Sequence, residues 1–272
     1  MTTMNRIALL TSNHRRHRWV AAQLAAVAEL AVVLTESKPA QNQGSSAAEG
    51  AEIRDYFEAR DRSEARWFRD APEHFADVAA HVAELPWQGS NSPEAFQQLR
   101  DSGVDRVFLF GSSIIRDPLL SHFEGRIVNM HLGLSPYYRG SATNYWPLVH
   151  GLPECVGVTI HHATAVVDGG GILAQARPAI EAGDSVHDIG CKTLMAGTAL
   201  LQHYGAAGLP LPPGVRQSGQ GRLCRRADFG VDSLHELESR MRSGMLHDYL
   251  LHKAARDAAY PIVPLPTSPS KH

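Results

Sequence analysis

Two short apolar runs, set one helix apart, constrain this chain most. Arg6–Thr11 (RIALLT) and Leu30–Thr35 (LAVVLT) are mostly aliphatic, with no polar alternation. Runs this short read as strands covered on both faces, which is the habit of a parallel sheet. Between them Val20, Ala21, Leu24, Val27 and Ala28 recur at a helical period, from about Arg15 to Glu29. Ser12 and Asn13 are suited to cap that helix. Strand, helix and strand at this spacing form a βαβ unit, and strands joined that way run parallel. The expected fold is α/β: a mostly parallel twisted sheet with helices on both faces, plus a small C-terminal appendage.

The alternation continues along the chain. Ser37 to Ala48 is a polar loop with Pro and Gly. Glu49 to about Asp70 is a long, charge-rich helix, and Val82–Leu85 is a third strand. Ser92 caps a helix over Pro93–Arg100. Val104–Phe110 (VDRVFLF) is a stronger strand. Ile172–Ile180 is a further strand, and Ser185 with Asp188 forms a capping box for a helix that Gly205 ends. Residues 1–205 read as one domain and 206–272 as an extension. That extension comprises a Pro/Gly linker, a hairpin carrying Arg222, Arg225 and Arg226, two short helices (Ser233–Arg242, Met245–Ala255) and a loose tail from Pro261.

Composition excludes several classes. With 43% hydrophobic and 20% charged residues, the chain is that of a globular protein with a core of useful size. A formal net charge of −2 carries no bias toward nucleic acid or an anionic membrane. No apolar run is long enough to span a membrane, and the first apolar run is too short for a signal peptide. Cys155, Cys191 and Cys224 are odd in number and widely spaced. They fit reduced thiols of a cytoplasmic protein, not a disulfide or zinc framework. His14-x-x-His17 has helical spacing for a metal but no carboxylate or Cys nearby, so no metal is expected.

The chemistry concentrates in Ile127–Gly171. A strand ends in Asn129-Met130-His131, so Asn129 and His131 share a face. A Ser-Pro-Tyr-Tyr-Arg-Gly turn follows, then a second strand to His161, then Asp168 beside Gly169, Gly170 and Gly171. An amide, an imidazole and a carboxylate suit acyl transfer to an amine. Asn129 can donate to the oxygen on which negative charge develops. His131 can act on the same oxygen and as general acid or base. Asp168 can hold the imidazole charged or take the proton that the amine loses.

Asn129-x-His131, Leu134-Ser135-Pro136-x-x-Arg139-Gly140, Gly157-Val158-Thr159-Ile160-His161 and Asp168-Gly169-Gly170-Gly171-Ile172-Leu173-x-Gln175 together resemble the 10-formyl-tetrahydrofolate-dependent formyltransferases. That family includes glycinamide ribonucleotide transformylases, methionyl-tRNA formyltransferases and sugar-nucleotide N-formyltransferases. The resemblance covers about 100 residues, from about Val104 to Tyr204. It implies a formyltransferase Rossmann-like fold, with Asn129, His131 and Asp168 as the catalytic trio. It implies 10-formyl-tetrahydrofolate as co-substrate, wrapped through backbone groups by Ser113, Ile114, Ile115 and Arg116. The loop Thr164, Ala165, Val166 and Val167 forms the other wall. Ligands of open α/β sheets bind beyond the carboxyl ends of strands, where the first of these loops lies.

Arg139, Asn144, Tyr145 and Trp146 are candidate contacts to the acceptor. Their Asn-Tyr-Trp-Pro version resembles the sugar-modifying branch. Tyr145 and Trp146 suit either stacking on a ligand or the start of a helix packed into the core. The transformylases have a glycine-rich phosphate loop after strand one, and this chain has Ser-Asn-His-Arg-Arg-His-Arg instead. A phosphate at the helix start is one reading of that turn; a solvated basic surface is the other. The stretch after residue 205 is too short for the C-terminal barrel of the methionyl-tRNA enzymes together with two helices.

The leading expectation is therefore formyl transfer to a primary amine of a small molecule, an amino sugar nucleotide first. Rivals are another amine (a hydroxylated amino acid, an antibiotic precursor or glycinamide ribonucleotide), hydrolysis of the formyl donor, and a non-enzymatic folate- or nucleotide-binding protein. A homodimer through the C-terminal region is also expected, with no nucleic acid or membrane partner.

Overall fold

The computed structural model describes residues 4–37, 47–208, 210–219 and 221–266. Most of the polar loop expected over residues 37–48 lies outside them, as do the last six residues.

A seven-stranded sheet organises the molecule. Its strands in chain order are β1 (Arg6–Thr11), β2 (Glu29–Glu36), β3 (His81–Leu85), β4 (Arg106–Leu109), β5 (Ile127–His131), β7 (Val158–His162) and β8 (Ile172–Ala176). A three-residue strand, β6 (Tyr138–Gly140), lies outside this sheet. The spatial order is β3-β2-β1-β4-β5-β7-β8. Pairs from β3 to β5 are parallel, and β7 is antiparallel to both its neighbours. This is the mostly parallel α/β sheet expected.

The period of two in β1 shows how the layers form. Ile7 and Leu9 face one core cluster with Trp19, Val20 and Leu24 of α1 (Arg15–Ala25). Leu194, Leu201 and Tyr204 of α6 (Val186–Ala206) pack into the same cluster. Ala8 and Leu10 face the opposite cluster, with Ala95 and Leu99 of α3 (Pro93–Asp101) and Leu119 of α4 (Leu119–His122). On β5, Val128 and Met130 join the first cluster and Ile127 the second. Asn129 and His131 therefore share the α3 and α4 face, at the end of β5 beyond those helices.

Several boundaries differ from the expected ones. Helix α1 stops at Ala25, because Val27 and Ala28 turn back on the Leu24 carbonyl and Glu29 enters β2 opposite Arg6. Strand β4 begins at Arg106, a fully buried residue. Its guanidinium donates to the Tyr204 carbonyl and, at 2.6 Å, to the Ala207 carbonyl. It thus satisfies carbonyl groups left over at the end of α6. Strand β8 ends at Ala176, before Arg177-Pro178. Helix α2 (Ala47–Trp67) is the long charged helix, and α6 carries the expected Ser185–Asp188 capping box.

The residues after 206 are woven into the rest of the molecule. No hairpin forms among the described residues there: Arg222–Cys224 is one strand, β9, parallel to β6. Helix α7 (Val231–Arg242) and α8 (Met245–Leu251) close a third cluster over α5 (Trp146–Val149), and α9 (Lys253–Ala258) follows after a break at His252. The tail is tied down as far as it is described. Val263 exchanges backbone and side-chain hydrogen bonds with Gln175, and Tyr137 donates to the Pro261 carbonyl at 2.9 Å.

Candidate active site

Strand β5 delivers Asn129 and His131 to one face, and antiparallel pairing puts His161 of β7 directly opposite Asn129. The His161 Nδ1–H donates to the His162 carbonyl at 2.8 Å. That leaves the Nε2 lone pair to accept from Asn129 Nδ2 at 3.0 Å. The bond aims the Asn129 amide and leaves its second N–H for a substrate oxygen.

His131 is buried, and its Nε2–H donates to the Tyr138 carbonyl at 3.0 Å. Its Nδ1 lies 3.4 Å from Asp168 Oδ1. Gly133 allows this packing, since a Cβ there would fall 2.5 Å from the His131 ring and 2.6 Å from Thr143. Asp168 has φ +49° and turns its carboxylate inward, where Oδ2 accepts from the Gly140 N–H at 3.0 Å. The turn needs its glycines. A Cβ on Gly170 would stand 1.8 Å from the His162 carbonyl oxygen, and one on Gly171 would stand 2.4 Å from that of Pro213.

The electrostatics follow from this packing. Burial opposes ionisation of Asp168, but His131, His161 and the Gly140 N–H outweigh it and hold the carboxyl at about 2. Burial pulls His131 below its usual value, against Asp168 and the Tyr138 carbonyl, which favour the cation. At neutral pH the site therefore holds an ionised carboxylate beside a neutral imidazole. A second ring proton, arriving at Nδ1, would meet Asp168. The arrangement can take up a proton at His131 Nδ1, return it, and donate a hydrogen bond from Asn129 toward one oxygen.

The other expected positions divide. Ser113 is buried against Glu36: its N–H donates to Oε2 at 2.7 Å and its hydroxyl to Oε1 at 2.8 Å. Asn91 accepts from the Arg116 N–H at 2.8 Å and donates to the Ile114 carbonyl at 2.9 Å. Several backbone groups expected to meet a heterocycle are thus already committed. Ile115 is buried, whereas the Ile114 side chain is exposed. Thr164, Ala165, Val166 and Val167 are exposed, and Ala163 before them packs against the cluster that holds Ile115.

Arg139 is half-buried, and its Nε has no hydrogen-bond partner. Asn144 accepts from the Gly157 N–H at 3.3 Å. Tyr145 and Trp146 are core residues. Tyr145 donates to Ser233 Oγ at 2.8 Å, and both rings pack into the α5–α7–α8 cluster. Their large apolar faces are worth more buried there than exposed beside a substrate.

The basic turn after β1 is engaged with the protein. Arg16 pairs with Glu64, and Arg18 donates to the Pro72 carbonyl and to Asn13. Among the described residues no cluster of three or more His, Cys, Asp or Glu could hold a metal. No helix among them is long and apolar enough to cross a membrane.

Sequence reasoning assigned no role to His161, Glu36, Asn91 or Gln217. His161 carried a signal, because its alternation with Thr159 placed it on a defined face of β7. Glu36 and Asn91 act through partners far along the chain and carried none.

The formyl transferase family matches residues 5–203 of this chain. Phosphoribosylglycinamide formyltransferase of Escherichia coli strain K12 is 40% identical over 86 residues, which are 31% of this chain and 40% of that protein. The aligned stretch thus spans well under half of that relative. Glycinamide ribonucleotide transformylase 1 from Symbiobacterium toebii superposes with a TM-score of 0.54 at 26% identity, over 80% of this chain and 95% of that one. A 4-N formyltransferase from Francisella tularensis shares the fold, with a TM-score of 0.50 at 14% identity over 83% of this chain and 78% of that one. With the family matched from β1 through α6 and its motifs gathered around His131, this chain belongs to the formyl transferase family, whose members are folate-dependent enzymes.

Proposed function

We propose that this protein transfers the formyl group of 10-formyl-tetrahydrofolate to a primary amine of a small molecule, an amino sugar carried on a nucleotide. One observation carries the reaction: the carboxylate of Asp168 lies 3.4 Å from His131 and 3.7 Å from His161, the residue that aims the Asn129 amide. Asn129 donates to the formyl oxygen as the amine attacks and that oxygen becomes negative. His131, through the Nδ1 that faces Asp168, takes up the proton lost by the amine and returns it toward the departing N10 of the folate. Asp168 steadies the imidazolium in between. One C–N bond forms to the acceptor, and one breaks at N10.

The acceptor reading is supported by the likeness of the Asn144-Tyr145-Trp146-Pro147 sequence to the sugar-modifying branch, although Tyr145 and Trp146 themselves are core residues and not ligand contacts. It is supported too by the basic turn after β1, whose Arg16 and Arg18 are spent on protein partners. Phosphoribosylglycinamide is the second reading, favoured by the 40% identity over 86 residues to the E. coli enzyme. Purified protein incubated with the donor and each of three acceptor classes (amino-sugar nucleotides, amino acids, phosphoribosylglycinamide) tests both by mass spectrometry of the formylated amine. Product with phosphoribosylglycinamide alone would overturn the sugar reading. Folate release with no acceptor present would indicate donor hydrolysis.

We also place the protein in the cytoplasm as a homodimer. Three free cysteines fit the first, and exposed Leu223 and Leu251 on the C-terminal region fit the second. Analytical ultracentrifugation of Leu223→Asp tests the dimer.

A further inference from the structure

The residues after α6 run back along the Asp168 loop. The His162 ring donates to the Pro212 carbonyl at 2.7 Å. A Cβ on Gly214 would stand 2.7 Å from the Gly171 carbonyl, and one on Gly171 would stand 2.4 Å from the Pro213 carbonyl oxygen. Ile172 and Val215 exchange both backbone hydrogen bonds, at 2.8 and 2.7 Å. Gln217 then reaches over the turn itself. Its Nε2 donates to the Asp168 carbonyl at 2.7 Å and to the Gly170 carbonyl at 2.8 Å. Its Oε1 is buried without a hydrogen-bond partner, so the side chain leaves an acceptor unsatisfied while keeping both donor bonds.

Asp168 is one of three non-glycine residues with positive φ among the described residues. That conformation persists only where the surroundings over-determine it. The Gly140 N–H holds the carboxylate from one side, and Gln217 holds the two flanking carbonyls from the other.

We infer that Gln217 is a positioning residue of the active site: by donating to the Asp168 and Gly170 carbonyls it locks the turn that points Asp168 at His131. Segment 212–217 is the strap that carries it there. Gln217 touches neither substrate nor reacting atoms; it acts through Asp168. Its catalytic consequence rests on the formyl-transfer reading above, but its effect on Asp168 does not.

The test therefore has two arms on Gln217→Met, which keeps the volume and removes both donors. In the first, the Asp168 carboxyl carbon is titrated by NMR in the free protein. Wild type should titrate near about 2, and the variant should climb toward the ordinary 3.8 as the carboxylate leaves His131 and Gly140. An unchanged midpoint overturns the inference, whatever reaction the protein catalyses. In the second arm, kcat should fall about tenfold with both KM values within about twofold, and Gln217→Met should cost nothing further in an Asp168→Ala background. Full additivity in that background would show a general structural role and overturn the assignment. If wild type formylates no acceptor, the proposed function fails and the titration still decides the strap. Should Gln217→Met not fold, Gln217→Asn, one methylene too short to bridge both carbonyls, replaces it.

Discussion

Two loops flank β5, and they are held in different ways. The loop after β4, residues 111–116, is braced from behind by Glu36 and Asn91. Glu36 lies at the end of β2, two strands across the sheet, and Asn91 lies just before α3. The loop before β8, residues 163–171, is braced by the segment that follows α6, through backbone pairing and Gln217. Each loop exposes aliphatic side chains, Ile114 on one and Val166 and Val167 on the other. The first loop has an ionisable brace and an ordinary backbone at its centre. The second has a neutral brace around a turn at positive φ that carries Asp168. The contrast implies that damage to the first should show in binding the donor, and damage to the second in turnover.

The largest expected effect tests the second loop. Asp168→Ala and His131→Ala should each lower kcat by about a hundredfold or more, with the fold retained by circular dichroism. Wild-type turnover in both would remove the contrast along with the mechanism. Next comes Gly170→Ala. Its Cβ would meet the His162 carbonyl oxygen at 1.8 Å, so the turn must open. The expected cost is about 3 kcal/mol by chemical denaturation, with turnover lost.

Acid should separate the loops further. The folded Asp168 carboxyl titrates at about 2 against an ordinary 3.8. A depressed carboxylate contributes stability above the unfolded value and loses it as pH falls from about 4 through about 2. The contribution is on the order of 2 kcal/mol. Asp168→Asn should flatten the stability curve in that window alone, as read by denaturation at a series of acidic pH values. The smallest effect falls on the first loop. Glu36→Gln replaces an acceptor of three hydrogen bonds and should cost about 1–2 kcal/mol. Its KM for the folate donor should rise severalfold while kcat changes little; Asn91→Ala should do the same more weakly. A kcat defect with unchanged donor KM would show that the two loops do not divide the work.

Local rules made much of this molecule legible. The βαβ start, the Ser185 capping box and the shared face of Asn129 and His131 follow from apolar spacing and side-chain alternation, which are properties of neighbouring residues. The motif order around Asp168 carried the family. Tyr145 and Trp146 were readable either as ligand contacts or as core, because an aromatic pair after a turn serves both. Only the packing of α7 and α8 placed them inside.

What the chain alone determined is the alternation of its elements and the shared face of Asn129 and His131, since both are written in residue type and short-range period. What the tertiary structure decided is how those groups are aimed. The Asn129–His161 bond, the Gly140 N–H on Asp168, the Glu36 brace and the Gln217 bonds all join residues brought together by sheet order and by the return of the C-terminal segment. Hydrogen bonds of that kind depend on distances of about 3 Å between atoms far apart in the chain, and no local pattern encodes them.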